Sequence, residues 1–154
     1  MRGYACIGLD NPKTPANIGS VLRAAGCYKA NMVALAGARP AKLKRIGSCP
    51  TDTQKVFRHI PTMWVDDLKN VIPYDCVPVA VDLIQGARSL VNYVHPERAF
   101  YIFGAEDATL GKRVLSWCRD VVYVPTKYCM NLAACVNVVL YDRMVKQTGE
   151  RTGG

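Results

Sequence analysis

The sequence predicts an α/β domain: a mostly parallel sheet with helices on both faces. Short, near-continuous apolar runs rich in β-formers recur along the chain, and helix-period stretches separate them. The chain has 154 residues, 50% hydrophobic and 21% charged, which suits one ordinary domain with a full core.

The first run, Tyr4-Ala5-Cys6-Ile7-Gly8-Leu9, opens the sheet. Ile18, Val21, Leu22 and Ala25 follow with the i, i+3, i+4, i+7 spacing of one helix face. Thr14 and Pro15 supply a cap and first turn, and Gly26 a stop. Asn31-Met32-Val33-Ala34-Leu35 is the second strand. Residues 76–81, 99–103 and 121–124 are three more, and a helix is expected over 109–117, after a turn at Gly104. The last helix carries an apolar stripe of Leu132, Cys135, Val136, Val139 and Leu140, with Arg143 and Lys146 toward its C-terminal end, where cations are favoured. The domain is set at 1–147 and a flexible tail at 148–154, with no repeat or linker.

Several function classes fall away. No apolar run approaches the ~18 residues of a membrane span, and the start lacks a charged region followed by an apolar one. Seven scattered cysteines without a C-x-x-C pair suit buried thiols in a reducing, cytoplasmic setting better than a disulfide frame or a zinc site. Neither the G-x-G-x-x-G dinucleotide fingerprint nor a P-loop is present.

Charge is uneven. Residues 1–60 hold ten Lys and Arg against Asp10 and Asp52, whereas residues 61–154 balance ten against ten. Arg39, Lys42, Lys44, Arg45, Lys55 and Arg58 fall within twenty residues, a field that attracts polyanions or simply keeps a basic face solvated.

In a parallel sheet, ligands bind beyond the carboxyl ends of the strands, and three segments lie there. Residues 11–23 offer Asn17 and Arg23, the latter an anion clamp or a partly buried structural arginine. In residues 103–111, Gly104 admits close approach of a ligand to the backbone, while Asp107 or Thr109 could be an ordinary helix cap. Residues 124–133 place Cys129 and Asn131 at the start of the last helix; a Cys–His pair is unsupported, since His59 and His95 sit in other segments.

Taken in order, these segments resemble the three motifs of the SpoU/TrmH family of the SPOUT superfamily, RNA ribose 2′-O-methyltransferases. Asn17, Gly19 and Arg23 match the first; Phe103, Gly104, Glu106 and Leu110 the second; Val124, Pro125, Met130, Asn131, Leu140, Tyr141 and Asp142 the third. The likeness spans residues 4 to about 147, and is greatest to the minimal members without an added RNA-binding domain, a group that includes wobble-nucleotide tRNA enzymes. It implies a C-terminal deep trefoil knot, a homodimer, and transfer of a methyl group from S-adenosylmethionine to a ribose 2′-oxygen of RNA, most readily tRNA, with no metal and no membrane. Arg23, Asn17 and Asn131 would be catalytic. Val81, Asp82, Phe103, Gly104, Glu106, Val124, Pro125, Cys129, Met130 and Leu132 would hold the cofactor, and the basic residues between 39 and 58 the RNA. Cys129 and Ala133 replace residues that are usually serine or similar in the family, and the stretch 124–131 is short. A base-nitrogen methyltransferase and a non-catalytic RNA-binding protein are the alternatives.

Overall fold

The computed structural model describes residues 3–41 and 55–153. Seven strands form one parallel sheet: β1 (Tyr4–Asp10), β2 (Met32–Ala36), β3 (Thr62–Val65), β4 (Val77–Val81), β5 (Arg88–Ser89), β6 (Arg98–Phe103) and β7 (Asp120–Tyr123). Their order is β3-β2-β1-β6-β4-β7-β5, with Ile7 registered against Val33 on one side and Tyr101 on the other. Five strands match the expected runs within a residue or so. The two unforeseen ones, β3 and β5, are the short edges.

Among the described residues four α-helices and three short 3-10 turns complete the order, the α-helices being α1 (Pro15–Cys27), α2 (Ala38–Ala41), α3 (Lys112–Leu115) and α4 (Leu132–Gly153). Strand side chains alternate between the faces. Ile7, Leu9, Val33, Leu35, Tyr101 and Phe103 pack against Ile18, Val21 and Leu22 of α1 and Val136, Val139 and Leu140 of α4. Cys6, Ala34, Phe100 and Ile102 face the other way, under Leu68 from a single helical turn and Val114 from α3. Helices therefore cover both faces, one thickly and one thinly. Each fully buried aliphatic side chain here contributes about 1.5–3 kcal/mol relative to exposure.

Local chemistry explains the first helix. Thr14 is extended and its hydroxyl accepts from Asn17 N, and Pro15 opens the helix. Gly26 is not the stop, because the helix continues to Cys27 and ends at Tyr28. A Cβ on Gly26 would lie 2.7 Å from a Val56 methyl, so this glycine admits a neighbour. The helix expected over 109–117 is only the single turn of α3, because Leu110 N donates to Asp82 Oδ2 and holds the preceding residues as a turn.

The last helix extends to Gly153, so helical geometry runs on into the segment set down as a tail. Arg143 and Lys146 thus lie mid-helix, and they serve carbonyls in place of the helix dipole. Arg143, fully buried, donates to Pro96 O at 2.6 Å, Glu97 O at 2.7 Å and Tyr101 Oη at 3.0 Å. Lys146 Nζ donates to Leu90 O and Tyr93 O and pairs with Asp142 at 2.9 Å. Asp142 also accepts from His95 Nε2 at 2.7 Å, leaving His95 Nδ1 to accept from the Tyr101 hydroxyl at 2.7 Å. This network clamps residues 90–97 against α4.

That clamp fixes an unusual path. Residues 82–97 leave β4, lay β5 along the far side of β7, and return to begin β6 on the near side of β4. β7 therefore lies inside the excursion. Among the described residues no helix is long and apolar enough to cross a membrane, and no three potential metal ligands gather. The thiols are mixed: Cys6 and Cys76 are buried, Cys118 and Cys135 half-buried, and Cys27 and Cys129 exposed.

Candidate active site

The carboxyl ends of β1, β6, β4 and β7 are neighbours; the loops that leave β6, β4 and β7 converge on one cavity of about 490 Å3, and the loop after β1 is tied to its wall through Glu106. Its wall includes Val81, Asp82, Phe103, Gly104, Glu106, Val124, Cys129, Met130 and Leu132. Of the residues assigned to the cofactor from sequence, only Pro125 is missing from that wall. It stands at the apex of a tight turn closed by Thr126 N donating to Val124 O at 2.9 Å. Thr126 and Tyr128, within the expected stretch 124–132, also line the cavity, as do Asp107 and Thr109, which were not assigned to it from sequence.

Gly104 lines the cavity and has a structural reason besides the close approach expected of it. A Cβ there would lie 3.2 Å from Ala108 O and 3.4 Å from Leu110 N, so the missing side chain lets the turn close on itself. Asp107 and Thr109 are not caps: α3 begins after Gly111, with no side-chain capping bond.

Glu106 is the hub. Its carboxylate accepts from Lys13 N at 3.0 Å, Thr14 N at 3.2 Å and Asn17 Nδ2 at 2.9 Å. Partial burial alone would raise its pKa, but the bonds from Asn17, Lys13 and Thr14 outweigh that and hold the carboxyl below its usual range. Asn17 Oδ1 then accepts from Asn131 Nδ2 at 3.2 Å. Asn131 Oδ1 in turn caps α4, accepting from Ala133 N at 2.9 Å and Ala134 N at 3.3 Å. All three motifs therefore meet in one chain of hydrogen bonds, Glu106–Asn17–Asn131, beside the cavity.

Arg23 does not join that chain. It lies nearly two turns further along α1, exposed, beside a separate groove lined by Gly26, Lys29, Val56, His59 and Ile60. The basic residues divide as well. Arg39 follows β2 at the carboxyl edge of the sheet, while exposed Lys55 and Arg58 precede β3 at the opposite edge. Lys42, Lys44 and Arg45 lie outside the described residues. Arg39 is already engaged: it holds both oxygens of Asp107, at 2.9 and 3.0 Å, and keeps that carboxyl below the usual range. Exposed Cys129 lines the cavity, but neither histidine does.

A glycine sets up this corner. Gly37 has φ of +110°, and a Cβ there would meet Asn11, whose own φ is +55°. Asn11 Oδ1 accepts from Arg39 N, and its carbonyl accepts from the Arg39 guanidinium, so Gly37 indirectly aims Arg39.

Known proteins bear out the fold. The SpoU methyltransferase AviRb from Streptomyces viridochromogenes superposes with a TM-score of 0.85 at 20% identity, over 97% of this chain and 62% of its own. The chain thus spans about three fifths of that protein, which has also been solved with AdoMet. A structure described as giving insight into 2-OH methylation of C/U34 on tRNA matches with a TM-score of 0.76 at 22% identity, over 96% and 98% of the two chains. The A. aeolicus TrmH/SpoU tRNA modifying enzyme gives 0.79 at 15% identity, over 97% and 77%. No curated protein sequence matches significantly. The model of the SpoU rRNA methylase family matches residues 4–141, nearly the whole length over which the three motifs are spread, and the chain belongs to that family.

Proposed function

We propose that the protein transfers a methyl group from S-adenosylmethionine to a ribose 2′-oxygen of RNA, with tRNA as the substrate class. The observation that carries this is the Glu106–Asn17–Asn131 chain standing beside a cavity formed by the loops that leave three adjacent strands, β6, β4 and β7. The cavity lies within the ~300–1,000 Å3 of small-molecule sites. Val81, Phe103, Val124 and Leu132 offer apolar walls to an adenine ring and thioether chain, and Glu106 and Asp107 offer negative charge to a cation. The residues present therefore fit the cofactor, which supplies an electrophilic methyl on a sulfonium.

The remaining tasks fall to the chain's own groups. Asn17 and Asn131, each fixed by a partner, orient the ribose hydroxyl, and the low pKa of Glu106 keeps the cluster anionic and ordered at neutral pH. Holding nucleophile and electrophile in line supplies much of the acceleration. Arg23 engages the phosphate next to the reacting ribose; a guanidinium is too weak a base to take its proton.

Arg23 stands apart from this cavity, so we place it there from a second copy. Exposed Tyr141 and Val145, one helical turn apart on α4, offer a surface for that dimer. The enclosure of β7 within residues 82–97 supports the knotted threading of the resemblance, and a cytoplasmic location fits an RNA substrate.

The test is methyl transfer from labelled S-adenosylmethionine to unmodified bulk tRNA. Wild type should label the RNA, and Arg23→Ala should lose about a hundredfold in rate. Undiminished transfer by Arg23→Ala would remove it from the mechanism.

A further inference from the structure

Arg39 is an anion receptor built before any ligand arrives. Its Nε and Nη2 donate to Asn11 O at 3.2 and 2.7 Å, so the guanidinium is aimed by backbone. Its Nη1 and Nη2 then hold the two oxygens of Asp107. A phosphodiester presents the same pair of oxygens and the same single negative charge to such a fork. Asp107 therefore occupies the position that a backbone phosphate would take.

Three features make exchange feasible. The Arg39 and Asp107 side chains are 30% and 46% exposed, and a pair so accessible adds little net stability. Exposed Lys13 adds a second positive charge near Asp107, so a polyanion is drawn to this edge. Finally, the turn that bears Asp107 stays anchored without it, through Glu106 on the α1 side and Leu110 on Asp82. Asp107 is thus the turn's exchangeable tie, and it lines the cavity.

We propose that the Arg39–Asp107 pair is an exchange latch between the RNA and the cofactor: an RNA backbone phosphate takes over the Arg39 fork, and the released Asp107 carboxylate turns its charge on the cavity and tightens the hold on a cationic cofactor. The latch rests on the cofactor reading above and adds to it a positive coupling between the two ligands. By linkage, each ligand strengthens the other by the same factor.

Calorimetry with sinefungin, an unreactive analogue with an amine where the sulfonium stands, tests this with and without saturating unmodified tRNA. Wild type should bind sinefungin about fivefold more tightly or better with tRNA present. Asp107→Asn should abolish that gain and bind tRNA several-fold more tightly, because nothing competes for Arg39. Arg39→Lys, which keeps the charge and loses the fork, should also abolish the gain. A gain retained in either variant, or tRNA affinity unchanged in Asp107→Asn, overturns the exchange. If wild type binds sinefungin but tRNA leaves its affinity unaltered, the latch fails alone; if sinefungin does not bind at all, the cofactor reading fails and the latch with it.

Discussion

Replacing Glu106 by Ala removes the acceptor that joins Lys13, Thr14 and Asn17 to the turn after β6. A hydrogen bond to a charged group contributes ~1.5–3 kcal/mol when shielded. This carboxylate is exposed, and water replaces part of each lost bond, so we assign the whole cluster about 2 kcal/mol in place of a per-bond sum. At this chain length each kcal/mol moves the melting temperature by roughly 2–4 °C. Glu106→Ala should therefore melt about 4–8 °C below wild type at pH 7. Glu106→Gln keeps an acceptor and loses the charge, so its deficit should be about half that. The pH dependence separates these contributions. The folded pKa of Glu106 is depressed below its ordinary value of 4.5, so its charged-state contribution is present above that value and is lost as pH falls through the folded pKa. Thermal melts across the acid range should show the gap between wild type and Glu106→Gln closing. A gap that persists undiminished at the acid end, or no gap at pH 7, would refute the hub assigned to this carboxylate.

Other perturbations test other parts of the fold. Arg143→Met strips a buried guanidinium from Pro96 O, Glu97 O and the Tyr101 hydroxyl, and should cost about 3 kcal/mol or more by denaturant unfolding. Gly37→Ala forces an alanine to a φ of +110° against Asn11; its cost should be about 1–3 kcal/mol, with weaker RNA binding because Arg39 loses its aim. Burial lowers the pKa of His95 more than Asp142 restores it, so stability should fall as pH drops below the ordinary 6.5 toward the folded value. His95→Gln should flatten that slope in melts between pH 5 and 8, relative to wild type.

The parts of the fold that could be read in advance are those where local pattern and tertiary role agree. The central strands are apolar on both faces, and α1 announces itself through Thr14, Pro15 and its buried stripe. β5 carried no signal because Arg88 and Ser89 form a strand only where β7 offers an edge. β3 is four residues at the opposite edge, too short for a period to emerge. Arg143 was misread for a physical reason: its place in a helical stripe suits a helix-end cation, and only the path of residues 90–97 reveals three acceptors awaiting it.

The site divides along the same line. Asn17, Glu106 and Asn131 were named from their motifs, and their meeting required the sheet order that puts β1 beside β6. Asp107 looked like an ordinary cap, because its partner Arg39 lies 68 residues away. The likeness to an active-site arginine could not show that Arg23 would face a different groove from the one Glu106 lines. Helix periodicity gave a hint, since six residues at about 100° each turn Asn17 and Arg23 away from a common line.

The most direct measurement is the chemical identity of the product. The protein, methyl-labelled S-adenosylmethionine and unmodified bulk tRNA are incubated together, and the RNA is digested to nucleosides for mass spectrometry. A labelled 2′-O-methylnucleoside is the predicted result. Label on a base, or no label from a protein that binds both ligands, would contradict the account.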